Sequence, residues 1–228
     1  MKSHTRQSRF AKLKTVAMIA VAVLMAKVLV SMVTEYRNYF PPNFEAVFLL
    51  GREATFQGAY PPAFYTHIIA SPIALLIATY LMLSGKWRTH ATLHRRLGKV
   101  QLGLVLGLVV PSGIVMSIWS FSGPLAGWGF ATQAVATGVT IVVAARYAMR
   151  RDFASHQRWA TYCFILLIAP LLFRIVAGLT IVTDTETIVG YQINAWLSWV
   201  IPLALFELRR YRKASRLVSE PTAAEGST

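Results

Sequence analysis

Residues 159–179 read WATYCFILLIAPLLFRIVAGL, an apolar run with a single charged residue, Arg174. A helix that crosses the hydrocarbon core of a bilayer needs about 20 mostly apolar residues. Backbone amides in lipid must find hydrogen-bond partners within the protein, and an α-helix supplies them within one segment. The run therefore predicts a transmembrane α-helix.

Five similar runs accompany it along the chain. They cover residues 15–33, 63–83, 98–119, 128–147 and 189–206. Of the 228 residues, 55% are hydrophobic and only 14% are charged, whereas soluble domains carry about 25% charged residues. The runs are continuous and lack the alternation of transmembrane β-strands. We expect an all-α, polytopic transmembrane helix bundle with about six spans.

The basic residues fall on one side of this predicted bundle. Most of the 23 lysines and arginines lie in residues 1–14, 86–99, 146–158 and 209–228. The connections on the other side hold only Arg37 and Arg52. Because cytoplasmic loops carry an excess of Lys and Arg, both termini are expected in the cytoplasm. The N-terminal segment 1–14 is then a basic cytoplasmic end, and residues 209–228 form a partly disordered cytoplasmic tail.

The longest connection, residues 34–62, is expected outside the cytoplasm. It is rich in aromatic residues, and a short interfacial helix between Pro42 and Arg52 is expected within it. The apolar run at 15–33 is longer than the roughly 7–15 residues of a signal peptide, so we interpret it as a retained first transmembrane helix. Residues 63–208 then form a five-helix membrane domain.

The net charge of +14 does not by itself indicate a nucleic-acid-binding protein. The basic residues form short clusters between apolar runs and no continuous basic face. Clusters next to membrane spans commonly bind anionic lipid headgroups. The expected partners are therefore the lipid bilayer and anionic phospholipid, and not nucleic acid.

Two histidines stand at equivalent places, since HRRL from His94 opens the third span and HQRW from His156 opens the fifth. Two imidazoles on facing helices are usual axial ligands of a b-type haem. The neighbouring Arg95, Arg96 and Arg158 suit the haem propionates. The alternative interpretation places both histidines in the headgroup zone, where they cap helices or contact lipid phosphates.

The starts of the third and fifth helices also suit an anion. Helix N-termini attract negative groups, and Thr92 and Asp152 are the expected N-cap residues there. The same cluster of residues therefore suits an anionic lipid headgroup or another phosphate.

Arg174 and His67 are the polar residues expected inside the bundle, towards its outer side. A charge within a span costs at least roughly 2.5–3.5 kcal/mol unless it is paired or reaches the interface. We expect Arg174 to face the bundle interior, where it pairs with Asp184 or Glu186 or faces His67 across a polar pocket. Such a pocket suits a small solute or an ion. The alternative for His67 is an interfacial histidine without a ligand.

Other chemistry finds little support in the sequence. The single cysteine, Cys163, excludes an internal disulfide and any Cys-based metal motif. Motifs of phosphate-binding loops, zinc proteases and serine hydrolases are missing from the chain. No catalytic residue is assigned, and no metal is expected other than the iron of a haem.

Four pieces of the sequence together resemble a known family. They are HI from His67, HRRLGK from His94, HQRW from His156 and FR ending at Arg174. In this order they resemble an uncharacterised family of predicted bacterial membrane proteins, domain of unknown function 2306, over about residues 64–208. The family usually has methionine after the tryptophan, where this chain has Ala160.

That resemblance implies a shared helix-bundle fold, with the same three histidines and Arg174 as motif positions, and a bacterial inner membrane location. It implies no activity. Three functions therefore remain open: a haem-binding redox protein using His94 and His156, a small-molecule or ion transporter using His67 and Arg174, and a non-catalytic membrane protein whose basic rim binds anionic lipid or a partner. The first is preferred.

Overall fold

The computed structural model describes residues 2–46, 48–84 and 90–219, and for residues 2–14, 17–18 and 216–219 it describes the backbone alone. Its α-helices are α1 (Lys2–Thr34), α2 (Tyr60–Ser84), α3 (Ala91–Leu104), α4 (Val110–Ile118), α5 (Pro124–Met149), α6 (Phe153–Val182) and α7 (Ile188–Ser219). These described parts contain no β-strand and hold six helical segments long and apolar enough to cross a membrane. The predicted all-α bundle with six spans is confirmed.

The third span is one continuous helix made of α3, a π-helical segment (Val105–Val109) and α4. Pro111 lies in the first turn of α4. Proline has no amide proton for the ordinary helical hydrogen bond, and it bends or widens a helix at the preceding turn. The wider π turn therefore lies where the proline requires an adjustment.

The helices at both ends of the chain extend beyond their predicted spans. The sequence predicts a separate basic segment at 1–14, whereas α1 begins at Lys2. It predicts a tail from residue 209, whereas α7 continues to Ser219. Lysine, arginine and alanine are good helix formers, so the helix continues after the apolar residues end. The predicted disorder in residues 220–228 and the basic residues Lys86 and Arg88 lie outside the described residues.

Helix α5 lies at the centre of the bundle, where it packs against α4, α6 and α7. Small residues permit this packing. A Cβ atom on Gly127 of α5 would lie 2.5 Å from the Ser117 carbonyl oxygen, so only glycine allows this approach to α4. On α2, Ala70, Ala74 and Ala78 are buried in the main apolar core. Helix α1 packs at the periphery against α6.

Two prolines within spans free backbone carbonyls, and side chains of neighbouring segments bind those carbonyls. Pro170 of α6 cannot donate to the Leu166 carbonyl, which instead accepts a hydrogen bond of 3.0 Å from the Gln133 side chain of α5. Pro72 of α2 likewise frees the Ile68 carbonyl, to which the Tyr36 hydroxyl donates. Neighbouring helices thus satisfy the groups that proline leaves unpaired.

Residues 35–59, here called the long loop, fold over one end of the bundle. Two short 3₁₀ helices, Glu35–Asn38 and Glu53–Thr55, flank turns. The interfacial helix expected between Pro42 and Arg52 is wrong, because the described residues there form turns. Instead, Leu49 and Tyr39 pack with the fully buried Phe64 of α2 in an aromatic cluster. These apolar side chains are buried against α2, whereas an interfacial helix would bury its apolar face in the membrane surface.

Arg52 fixes the long loop to the helices. Its side chain is 8% exposed and donates hydrogen bonds to the Phe48 carbonyl (2.9 Å), the Tyr60 hydroxyl (3.2 Å) and the Trp119 carbonyl (3.3 Å). The guanidinium also lies 5.5 Å from the Phe121 ring centroid. These contacts join the loop to the start of α2 and the end of α4. The end of the bundle that carries the loop is called the loop end, and the opposite end the basic end.

The pairing of Gln133 with the carbonyl freed by Pro170 can be measured directly. Gln133→Leu should lower the free energy of unfolding by about 0.6–1.7 kcal/mol, the range of hydrogen bonds between membrane helices. In a Pro170→Ala background, the alanine amide can donate to the Leu166 carbonyl. Gln133→Leu should therefore lower the free energy of unfolding by clearly less than it does in the wild-type background. Reversible unfolding in detergent gives the four free energies of this cycle. Equal costs in the two backgrounds contradict the pairing.

Candidate functional site

The two equivalent histidines lie at the basic end, each held through Nδ1. In His156 of α6, Nδ1 lies 2.9 Å from the Ala144 carbonyl oxygen of α5. A carbonyl only accepts, so this Nδ1 carries the proton and Nε2 keeps its lone pair. In His94 of α3, Nδ1 lies 3.2 Å from the Ser84 hydroxyl, which itself donates to the Leu81 carbonyl. His94 has the same tautomer when the Ser84 hydroxyl keeps its bond to Leu81.

The two imidazoles lie close enough to interact electrostatically. They come from α3 and α6, which the chain separates by α4 and α5. Their Nε2 atoms have no hydrogen-bond partner among the described residues. The basic end thus holds two oriented imidazoles with free lone pairs.

A buried amide lies deeper on the same face of α3. Gln101 follows His94 by seven residues, or two helical turns, and is 4% exposed. Neither its side-chain nitrogen nor its oxygen has a hydrogen-bond partner in the described structure. Between them, no atom lies within 4 Å of the position that a Cβ of Gly98 would take. This face therefore combines a lone pair, free space and an unsatisfied amide.

Helix α6 repeats this spacing. Ala160 and Cys163 follow His156 by four and seven residues, as Gly98 and Gln101 follow His94. Cys163 is buried, and its thiol lies within hydrogen-bonding reach of Thr140. Both helices therefore have a small residue four positions after the histidine.

The arginines of the basic end, which the sequence suggests as propionate ligands, differ in their partners and exposure. Arg158 lies 3.5 Å from the Glu207 carboxylate and donates to the Tyr162 hydroxyl at 2.9 Å. Arg210 also binds Glu207, at 2.8 Å. Arg95 and Arg96 are exposed and have no polar partner in the described part of the chain. Arg158 therefore shares the Glu207 carboxylate with Arg210, and its role towards a propionate stays a prediction.

The helix starts differ in their caps. Asp152 is the N-cap of α6, as expected, and its side chain accepts a hydrogen bond of 3.0 Å from the Ser155 amide. Hydrogen bonds from Ser155 hold the pKa of this exposed carboxyl below its usual range. Thr92 lies within the first turn of α3, and His90 takes the N-cap position without a side-chain hydrogen bond to the helix. The expectation for Thr92 is wrong by two residues.

His67 lies near the loop end, on the inner face of α2. Its Nδ1 is 3.0 Å from the Ser112 hydroxyl, which donates to the Leu108 carbonyl at 2.5 Å. His67 therefore donates to Ser112 through Nδ1. A Cβ on Gly113 would lie 3.3 Å from the imidazole, so glycine lets the ring lie against α4.

Arg174 of α6 is the second polar residue of the loop end. Its guanidinium carbon lies 5.7 Å from the Phe48 ring centroid of the long loop. It interacts electrostatically with His67 and with three tyrosines, Tyr36, Tyr39 and Tyr191. Arg174 thus faces the bundle interior, across from His67, as one of the two sequence expectations has it.

The expected partners of Arg174, Asp184 and Glu186, form no ion pair with it. Both ion pairs that the described residues contain belong to Glu207 at the basic end. No hydrogen bond of the Arg174 guanidinium exists within the described structure either. The cation therefore lies inside the bundle without a counter-charge.

The tyrosines around Arg174 are not predicted from the sequence. Tyr36 follows α1, Tyr39 belongs to the long loop and Tyr191 to α7. Burial raises the pKa of Tyr39 above its usual value, although Arg174 opposes this, so the hydroxyl stays protonated. The aromatic richness of residues 34–62 was visible, but aromatic residues at a membrane surface have an ordinary explanation.

Among the described residues, no group of three or more histidine, cysteine, aspartate or glutamate side chains is arranged to hold a metal ion. Comparison with known proteins finds no significant match among curated proteins or solved structures. A family model does match, over residues 64–209, which include the three histidines His67, His94 and His156 and also Arg174. The chain belongs to this family, the predicted membrane protein family DUF2306.

Proposed function

We propose that this protein is a redox membrane protein that binds a b-type haem between His94 and His156. One observation carries the proposal. Two imidazoles from α3 and α6 interact at the basic end, and hydrogen bonds to both Nδ1 atoms leave both Nε2 lone pairs free. Metal-ligating histidines usually have this arrangement, in which the second nitrogen donates to a fixed acceptor.

The shape of the surroundings favours a haem over a bare metal ion. Two histidines alone do not complete the four ligands of a structural zinc site. The unsatisfied amide of Gln101 lies seven residues from His94, or about 10.5 Å along the helix. A single ion held at the histidines would not reach this amide, whereas a larger group that extends along α3 would come closer to it.

Free space supports the same group. A residue larger than glycine at position 98 would occupy the region between His94 and Gln101, where no atom now lies within 4 Å of a Cβ. Alanine at position 160 keeps the corresponding place on α6 small. Small residues one turn beyond the histidines on both α3 and α6 suit a planar ring.

The protein's own groups then have defined roles. Ser84 and the Ala144 carbonyl orient the imidazoles and fix their tautomers. The haem, when bound, supplies one-electron transfer within the membrane. The apolar core that begins below Gln101, with Val105 fully buried, excludes water from the ring.

We further infer the orientation and the location of the bundle. The basic residues of the chain gather at the basic end, which supports a cytoplasmic placement of both termini in a bacterial inner membrane. The exposed Arg95 and Arg96 are suited to phosphate groups of anionic phospholipid there.

The haem proposal predicts a coloured protein. Protein produced with adequate haem supply and purified in detergent should show a Soret band. His94→Ala and His156→Ala should each reduce haem retention by more than about tenfold, because each removes an iron ligand. The exposed His90, at the N-cap of α3, is the matched control, and His90→Ala should keep the band. A colourless wild-type protein would falsify the proposal.

The space at residue 98 gives an independent prediction. Gly98→Leu should abolish the Soret band, because its side chain fills the region proposed for the ring. Gly98→Ala should raise the free energy of unfolding of the haem-free protein by about 0.5–1 kcal/mol, as alanine does inside helices. Unfolding in detergent and absorption spectra test both. Full haem content in Gly98→Leu argues against this location.

The orientation is tested with single cysteines in a Cys163→Ser background. Met149 and Val182 are 77% and 85% exposed and lie at opposite ends of the bundle. In intact cells, an impermeant thiol reagent should label Val182→Cys and spare Met149→Cys. Labelling should reverse in inside-out vesicles. The opposite pattern shows that the termini face outward.

A further inference from the structure

We propose that the loop end contains a second ligand site, in which Arg174 binds a small monocarboxylate with an apolar body. The site, called here the Arg174 chamber, is the cluster around Arg174: the Phe48 ring centroid lies 5.7 Å from its guanidinium carbon, and His67, Tyr36, Tyr39 and Tyr191 interact with it electrostatically. It lies at the other end of α6 from His156 and does not rest on the haem proposal.

The missing counter-charge is the first argument. A guanidinium inside a membrane protein is costly unless a negative group or a dense set of acceptors faces it. Arg174 has neither among the described residues, and its nearest aromatic neighbour is the Phe48 ring. The nearby carboxylates are Glu35, which interacts with Tyr39, and Glu186, which interacts with Tyr191, and neither forms an ion pair with Arg174. An anionic ligand supplies the absent charge.

The chemistry of the walls indicates which anion fits. Arg174 presents a planar fork of donors that matches the two oxygens of a carboxylate. The hydroxyls of Tyr39 and Tyr191 form no hydrogen bond within the described structure and add two donors, whereas Tyr36 donates to Ile68. The chamber is therefore rich in donors and poor in acceptors.

The remaining walls are aromatic. Besides Phe48, the ring of Tyr191 packs edge-on against Phe173 at 4.9 Å and belongs to a cluster with Phe130. Such rings bind apolar groups, and they leave a highly hydrated polyanion without partners for its other charges. A single carboxylate on a small apolar body fits this composition best.

A small cleft between α6 and α7 is lined by Thr180, Glu186, Asn194 and Tyr191. Tyr191 belongs to both the cleft and the chamber, so the cleft adjoins the Arg174 site.

The test uses benzoate as the probe and isothermal titration calorimetry on the full chain in detergent. Wild-type protein should bind benzoate and not benzamide, which has the same ring without the charge. Arg174→Gln should weaken benzoate binding by about tenfold to a hundredfold, the effect of losing charge-assisted hydrogen bonds. Arg37→Gln removes an equal charge from an exposed position at the same end and should leave binding unchanged.

Two further variants test the site even if Arg174→Gln does not fold. Tyr191→Phe keeps the ring and removes one donor, and it should weaken benzoate binding severalfold. Arg174→Lys keeps the charge without the fork and should bind benzoate more weakly than wild type. A wild-type protein that does not bind benzoate overturns the proposal, as does equal binding by Arg174→Gln and wild type. Binding of inorganic phosphate in place of benzoate overturns the carboxylate assignment.

The two sites are separated by one comparison. His94→Ala should lose the Soret band and keep benzoate binding, whereas Arg174→Gln should lose benzoate binding and keep haem. A colourless wild-type protein that binds benzoate rejects the haem and retains the chamber. A red wild-type protein that does not bind benzoate supports the haem proposal and rejects the chamber.

Discussion

Every polar backbone group in a bilayer core needs a partner within the protein, and this constraint shapes the whole bundle. Helices satisfy it almost everywhere, and the exceptions occur where proline interrupts them. The carbonyl of Leu166, freed by Pro170, accepts from Gln133, and the carbonyl of Ile68, freed by Pro72, accepts from Tyr36. These bonds link α5 to α6 and the long loop to α2. Prolines inside the spans therefore help to fix which helices are neighbours.

The same constraint makes the remaining unsatisfied groups informative. Side chains of neighbouring segments bind the carbonyls that Pro170 and Pro72 leave free. A polar side chain without such a partner is therefore unusual in this structure. The amide of Gln101 and the guanidinium of Arg174 are such groups, one at each end of the bundle. Neither side chain has a hydrogen bond in the described structure that replaces its bonds to water, although Arg174 lies near the Phe48 ring. A ligand that supplies the missing partner explains why these residue types lie there.

The sequence predicts the helices well and the sites only in part. Apolar runs of sufficient length identify the six spans, because in lipid there is hardly another structure for them to form. The inward position of Arg174 opposite His67 follows from the cost of a charge in lipid. The turns between Pro42 and Arg52 do not follow, because burial against Phe64 of α2 decides them. The tyrosines around Arg174 come from the long loop and from α7, which are far apart in the sequence, so no local pattern predicts them. Arg158 has its partner, Glu207, on another helix, and only the fold brings the two together.

Helix α6 carries both His156 and Arg174, and this fact limits how the two proposed sites can be related. Eighteen residues separate them in the sequence, which is about 27 Å along a helix and close to the thickness of a bilayer core of about 30 Å. Fully or nearly fully buried apolar residues, including Val105 and Leu166, lie at intermediate levels. A ligand on Arg174 therefore cannot touch a group held by His156. Any coupling between them must act through the shared helix, whose Pro170 lies between the two residues and makes one hydrogen bond of α6 depend on Gln133 of α5. A change in the packing of α5 against α6 is thus the physical route by which occupancy at one end can alter affinity at the other.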